Sequence, residues 1–321
     1  MRRILTGLIL IASAICSLVA YAQTKTNIFV ATGPTTGVYY PIGGAIADVL
    51  TKNVPNLNAT AGTTDGSMAN LLLIQQRKAD IALSMTDASW DAYKGQGKFQ
   101  DRKVDVRALM VLYPNRMHVV TVEGTGINKV SDLKGKRVST GAPNSATQIM
   151  AYRVLEAYGI DPEKDIIRER LDPGKSAEAI KDKKLDAFFW VGGLPTSAVT
   201  DLGATPGIKL KLVDHSEALE AMVKKYGPLY VKDTIPAKTY PGQETTTQIV
   251  TVWNVLVADA KMNDQLAYDI VKTLFDRKED LVRVHSEAKN FDPKYQTEAA
   301  AVIPFHPGAK KYFAEKGVKL N

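Results

Sequence analysis

The sequence predicts a two-lobed α/β architecture built on open, mostly parallel sheets. Three observations carry that prediction. Short β-type runs alternate with helical stretches through most of the chain. About 300 residues remain after the first 22, more than one hydrophobic core usually organises. Two extended segments, Tyr113–Val119 and Ile249–Leu256, stand where the chain would cross between lobes.

Residues 1–22 are set aside first. Arg2 and Arg3 precede an apolar run from Ile4 to Ala20, followed by Ala20-Tyr21-Ala22, the pattern of a cleaved signal peptide. A periplasmic location is expected, and no later segment approaches the roughly 20 apolar residues of a spanning helix. Thr26–Ala31 then reads as a strand, Gly33 to Gly37 as a loop and Tyr39–Lys52 as a helix. Asn58–Ala61, Ser67–Lys78, Asp80–Ser84 and Asp87–Tyr93 continue the alternation. Val106–Tyr113 and Met117–Val122 read as two strands divided by Pro114-Asn115.

A second series starts at Lys136–Thr140 and passes through Gly141-Ala142-Pro143-Asn144 into the helical stretch Ser145–Tyr158. Ile166–Leu171, Ala177–Lys183, Asp186–Trp190 and Ile208–Val213 follow, and Pro228–Gly242 reads as a long ordered loop. Ile249–Ala258 is the strongest late strand. The helices after it, ending with Gly308–Lys316, have no strands of their own and must pack on a sheet made elsewhere. The expected division is 24–114 plus 251–321 for lobe I and 115–250 for lobe II.

Composition excludes several classes of function. The single cysteine, Cys16, lies in the leader, leaving no thiol for a disulfide, a metal or a nucleophile. Ile15 before it is poorly suited to lipidation. Taking Arg2 and Arg3 from the 41 basic residues leaves a net charge of +5 against 34 acidic ones. The basic residues are scattered, so the charge is a mild preference for anions, without the stripe a nucleic acid would need. His118, His215, His285 and His306 occur singly, with no metal-ligand spacing, and no Gly-x-Ser-x-Gly elbow is present. No catalytic residue, metal or cofactor is assigned.

The candidate binding residues lie where strands lead into helices, the ligand edge of open α/β sheets. Free N–H groups and the helix dipole suit such places to anions. The loop Thr32–Tyr40 offers Gly37, Tyr39 and Tyr40, or is an ordinary glycine turn; it lacks the features of a nucleotide-phosphate loop. In Thr63–Ser67, Gly66 permits close approach, and Ser67 either donates to a ligand or caps its helix. In Pro143–Gln148, Ser145 and Gln148 have capping-box spacing, while Asn144 and Thr147 are left to face a cleft. Trp190, before Gly192-Gly193, is core or the apolar wall of a pocket.

Several of these elements resemble the TAXI family of solute receptors for TRAP transporters. The resemblance rests on Gly33 to Gly43, with Gly37, Tyr39 and Tyr40; Thr64 to Asn70; Ala79-Asp80-Ile81-Ala82; and Asp132-Leu133-Lys134-Gly135-Lys136-Arg137-Val138 on to Thr147. It extends to Asp186-Ala187-Phe188 through Pro195 and to Pro304-Phe305-His306-Pro307-Gly308-Ala309. It implies a type II periplasmic-binding clamshell, a monomer without catalysis, that delivers a small anionic ligand such as glutamate, glutamine or a related dicarboxylate to a TRAP membrane subunit. It also implies a carboxylate held by neutral donors and helix starts, without one dominant arginine. Ala146 stands where the family often has glycine, a difference bearing on ligand preference. A receptor for an ATP-driven importer, or an exported enzyme, on the same fold is the competing expectation.

Overall fold

The computed structural model describes residues 25–320; the leader and Cys16 lie outside them. Ten strands form one mixed sheet in the order β2-β1-β3-β10-β4-β7-β5-β6, with β8 beside β4 and β9 beside β10. The strands are β1 Thr26–Ala31, β2 Leu57–Gly62, β3 Ile81–Met85, β4 Val106–Val122, β5 Arg137–Ser139, β6 Ile167–Glu169, β7 Ala187–Gly192, β8 Leu210–Leu212, β9 Val231–Ile235 and β10 Thr247–Asp259. The helices that bear on the site are α1 Tyr39–Asn53, α2 Ser67–Gln75, α3 Thr86–Lys94, α4 Ala146–Ala157, α5 Pro173–Lys181 and α6 Ser197–Ala204.

Parallel pairing is confined to two groups, β2-β1-β3 and β6-β5-β7. Each group needs helical crossovers and therefore builds its own half of the molecule. The two halves share β4 and β10, which run antiparallel to each other and to their other neighbours. One end of β4 pairs with β10 from Val106 to Arg116, and the other pairs with β7 from Arg116 to Thr121. The open, mostly parallel sheets expected from the alternation are thus joined, through antiparallel β4 and β10, into one mixed sheet.

Two expectations at these crossings are corrected. Pro114-Asn115 does not divide two strands: Pro114 stands opposite Trp253 inside one continuous 17-residue strand. Proline has no N–H to give the ladder, and the pairing absorbs it with register shifts between Trp253 and Val255 and between Leu256 and Val257. Within Pro228–Gly242, Val231–Ile235 is a strand pairing with β10, rather than loop throughout. The helix expected to run to Lys78 stops at Gln75, before Arg77 at φ 56°.

The core follows this plan. Val106, Ala108, Met110 and Leu112 on β4, with Val252, Leu256 and Ala258 on β10, are fully buried. The C-terminal segment packs on this shared ladder as expected, through a bridge from Phe305 to Ala108 and through Phe313 stacked edge-on to Phe305. No helix among the described residues is long and apolar enough to cross a membrane.

Candidate functional site

The loops after β1, β2 and β5 open onto one cleft between the two halves, and the ends of β3 and β7 complete it. The enclosed space at their meeting point is about 30 Å³, room for little more than a water molecule or two. One half contributes Gly37, Val38, Tyr39, Gly66, Ser67 and Met85, and the other contributes Ser145, Ala146, Thr147, Trp190 and Gly192. Tyr113 and Asn115, on β4 where it passes between the halves, also line it.

Seven of the nine residues singled out in the sequence therefore meet around one space: Gly37, Tyr39, Gly66, Ser67, Ser145, Thr147 and Trp190. Two do not line it. Tyr40 is 41% exposed and lines a neighbouring open groove with Pro41, Pro195 and His285; it follows Tyr39 on α1 and so points about 100° away around the helix. Asn144 is exposed at φ 59°. Its carbonyl, and not its amide, contributes by accepting from Ala69 N–H across the halves at 3.3 Å.

Local bonding settles which hydroxyls are already engaged. Ser145 is the N-cap of α4, accepting from Gln148 N–H at 3.2 Å while donating to Ala142 C=O at 2.7 Å. The reciprocal half of the capping box does not form, because the Gln148 side chain accepts from Lys98 Nζ at 2.8 Å on the other half. Ser67 is not a cap: Gly66 precedes α2 at φ 107°, ψ −156°, and makes no side-chain cap. Only glycine occupies that region readily. The Ser67 hydroxyl instead accepts from Met85 N–H at 3.0 Å. Thr147 Oγ1 accepts weakly from Val191 N–H at 3.4 Å.

The helix starts remain open to a ligand. Tyr39 and Tyr40 on α1, Ser67 and Met68 on α2, and Ala146 and Thr147 on α4 have N–H groups without a hydrogen-bond acceptor among the described residues. These are the orphan donors at the positive ends of three helices. No lysine or arginine lines the cleft, and its one acid, Asp65, sits exposed at the rim. The lining itself presents backbone donors and no cationic side chain.

The walls are held in place by buried networks. Trp190 donates its indole N–H to Thr196 Oγ1 at 3.0 Å, and Thr196 N–H donates to the Tyr240 hydroxyl at 3.2 Å. That hydroxyl contacts His118 Nε2 at 2.8 Å. Burial drives the His118 pKa down to about 3, so its ring is neutral: Nε2 accepts from Tyr240, and Nδ1 donates to Arg116 C=O at 2.9 Å. Opposite Trp190, the Tyr39 hydroxyl donates to Asn254 Oδ1, and Asn254 Nδ2 donates to Tyr113 C=O at 3.2 Å. Tyr113 and Asn115, which line the cleft, and Asn254, which bonds Tyr39 and Tyr113, were missed by the sequence reading.

Gly37 lets the halves meet. A Cβ there would lie 3.0 Å from two ring carbons of Trp190, closer than carbon atoms normally approach. Gly37→Val is expected to weaken ligand binding at least tenfold while leaving the unliganded melting temperature within about 2 °C, because open halves would relieve the clash. Calorimetry and a melting curve on the same sample check this; an unaltered affinity removes the Gly37–Trp190 contact from closure.

The fold is that of two-lobed periplasmic binding proteins, with a cleft between its halves. By sequence the chain belongs to the NMT1-like family, whose model matches residues 30–317. Solved structures agree on the fold. An ancestral arginine-binding protein bound to arginine superposes with a TM-score of 0.50 at 15% identity, over 83% of this chain and 99% of that one. Tv2483 bound to L-arginine gives 0.51 at 12% identity, over 84% and 91%. A protein from Bordetella bronchiseptica RB50 gives 0.50 at 18% identity, over 92% and 81%.

Proposed function

We propose that this chain is an exported solute receptor that captures a small acidic metabolite in the interlobe cleft and presents it to a TRAP-type membrane subunit. The observation that carries the proposal is the convergence of three helix starts with free N–H groups on a cleft lined by no cationic side chain. Backbone donors of this kind hold carboxylates without the desolvation cost of a buried lysine or arginine. Glutamate, glutamine and related dicarboxylates are the proposed ligands. The TRAP partner and the TAXI subfamily rest on the motifs from Gly33 to Gly43 and from Asp132 to Thr147.

Lobe I would comprise 24–114 and 251–321, lobe II 115–250, with bending at the shared strands near Tyr113–Val119 and Ile249–Leu256. Gly37, Tyr39, Gly66 and Ser67 would meet the ligand from lobe I, and Ser145, Thr147 and Trp190 from lobe II. Asp65 at the rim is too exposed to anchor a guanidinium, which separates this cleft from one built for arginine.

The test is a thermal-shift screen of refolded, ligand-stripped protein. A ligand at about 100 times its Kd adds about 2.7 kcal/mol, a rise of several degrees for a chain of this size. Small carboxylic acids are expected to head the ranking. A ranking headed by sugars or cationic metabolites, with no acid shifting the transition, refutes an acidic ligand.

A further inference from the structure

We propose that Tyr113 and Asn115 form a polar floor that selects acids which also carry a hydrogen-bond donor. This rests on the reading of the cleft as an acid-binding site and adds to it the residues that choose among acids. The observation is one of unmet bonding. Tyr113 is fully buried and Asn115 is 2% exposed, both line the cleft, and the Tyr113 hydroxyl and Asn115 Oδ1 are buried without a hydrogen-bond partner. Leaving such atoms unpaired is costly, and buried polar atoms are overwhelmingly paired.

Neither group is free to turn away. Tyr113 is pinned through its backbone carbonyl to Asn254, which is bonded in turn to Tyr39, and its ring edge abuts Gly193, where a Cβ would lie 3.0 Å from Cε2. Asn115 stands in register with Val252 in the paired part of β4 and β10. Both side chains are therefore presented by the strand that passes between the lobes and not by a loop.

The two atoms ask for different things. Asn115 Oδ1 only accepts, so it requires a donor on the ligand, an ammonium or an amide N–H. The Tyr113 hydroxyl accepts or donates, so it completes either group. The N–H groups at the helix starts only donate, and they require an acceptor such as a carboxylate. The cleft therefore offers two chemically distinct sets of partners. An acid with a nitrogen donor satisfies both, whereas an acid of the same length without one leaves Asn115 Oδ1 buried and unpaired. Buried polar groups built to bond a substrate group reject analogues lacking it far more strongly than apolar pockets reject a change in size.

The test compares L-glutamate with glutarate, which has the same carbon chain and both carboxylates but no amine, by calorimetry on the parent, Asn115→Leu and Tyr113→Phe. The parent is expected to prefer L-glutamate by at least tenfold. Asn115→Leu should lose most of that preference by weakening L-glutamate and leaving glutarate within threefold. Tyr113→Phe should act in the same direction and less strongly. Both unliganded variants should melt at or above the parent temperature, because each removes an unpaired buried polar atom. Equal weakening of both acids by Asn115→Leu, or an unchanged preference, overturns the floor while leaving the acid reading intact. A parent that binds neither acid but does bind another class of solute overturns both.

Discussion

Thr147→Asp is expected to weaken binding of L-glutamate by about a thousandfold while the unliganded protein stays folded and melts near the parent temperature. Thr147 is the second residue of α4, it is 4% exposed, and its N–H has no acceptor among the described residues. An aspartate there sits in the first turn, where the helix dipole favours a negative charge, and its carboxylate retains the acceptor that meets Val191 N–H. The same carboxylate would occupy the space assigned to the ligand's acid. Two like charges about 4 Å apart in a partly desolvated site repel by about 4 kcal/mol. Thr147→Val is the control: it keeps the volume and forfeits only the 3.4 Å bond to Val191, so its affinity should stay within tenfold. If Thr147→Asp binds L-glutamate within a few-fold of the parent, the acid end of the ligand does not lie at α4.

Ser145 is a poorer place for that substitution than its helix-cap role suggests. The sequence shows a capping serine, and aspartate caps as well as serine. The fold adds that the same hydroxyl donates to Ala142 C=O, a bond an ionised carboxylate cannot make, so Ser145→Asp mixes lost stability with lost binding.

What was legible in the sequence divides along a physical line. The strand-to-helix loops were readable because glycines, prolines and helix periodicity are local signals, and they located Gly37, Gly66, Ser67, Ser145 and Thr147 before any fold was known. Tyr113, Asn115 and Asn254 lie inside β4 and β10, where the face a side chain takes depends on pairing between segments some 140 residues apart. The one available signal, a Pro-Asn pair interrupting an apolar run at an expected crossing, read more naturally as a strand break. The edge strand β9 was hidden for a related reason: Val231 and Lys232 are exposed, so it has little of the alternation that marks a half-buried strand. Ion pairs such as Arg153 with Asp91 join residues 62 apart in sequence, and one sequence does not reveal which charges meet.

That pair carries the last expected result. Arg153→Met should weaken ligand binding by at least a hundredfold without a ligand contact being touched. Arg153, on α4, donates through Nη2 to Asp91 at 2.6 Å and through Nη1 to the Tyr230 hydroxyl, which donates to Asp87 at 2.8 Å. Its guanidinium also lies over the Tyr226 ring, and Glu156, paired with Lys225, stands nearby. Asp87 and Asp91 belong to α3 on the opposite half, and Asp87, Asp91, Arg153 and Tyr230 are 0 to 8% exposed. The cluster joins the two halves, so opening them would break it. Removing one member of a buried ion network costs about 3–5 kcal/mol, and in the open form the two aspartates regain water, so the loss falls on the closed form alone. Solution scattering should show the variant failing to contract at a ligand concentration that saturates the parent.

One guanidinium shared by two carboxylates leaves the cluster short of positive charge. Against the lowering effect of burial, Tyr230, Asp87 and Asp91 raise the Arg153 pKa. For Asp91, burial outweighs the Arg153 charge, with further upward pressure from Asp87, and holds its pKa at about 6 instead of 3.8; burial likewise raises Asp87. If these carboxyls return to ordinary values in the open form, the closed form binds more protons. Closure should then be favoured as the solution is acidified, with the contribution complete below the ordinary carboxylate range and lost as pH rises through about 6. Calorimetry near pH 6 in two buffers of different ionisation enthalpy should show net proton uptake on binding L-glutamate. Proton release, or full contraction of Arg153→Met at parent ligand concentrations, would show that this cluster does not hold the halves together.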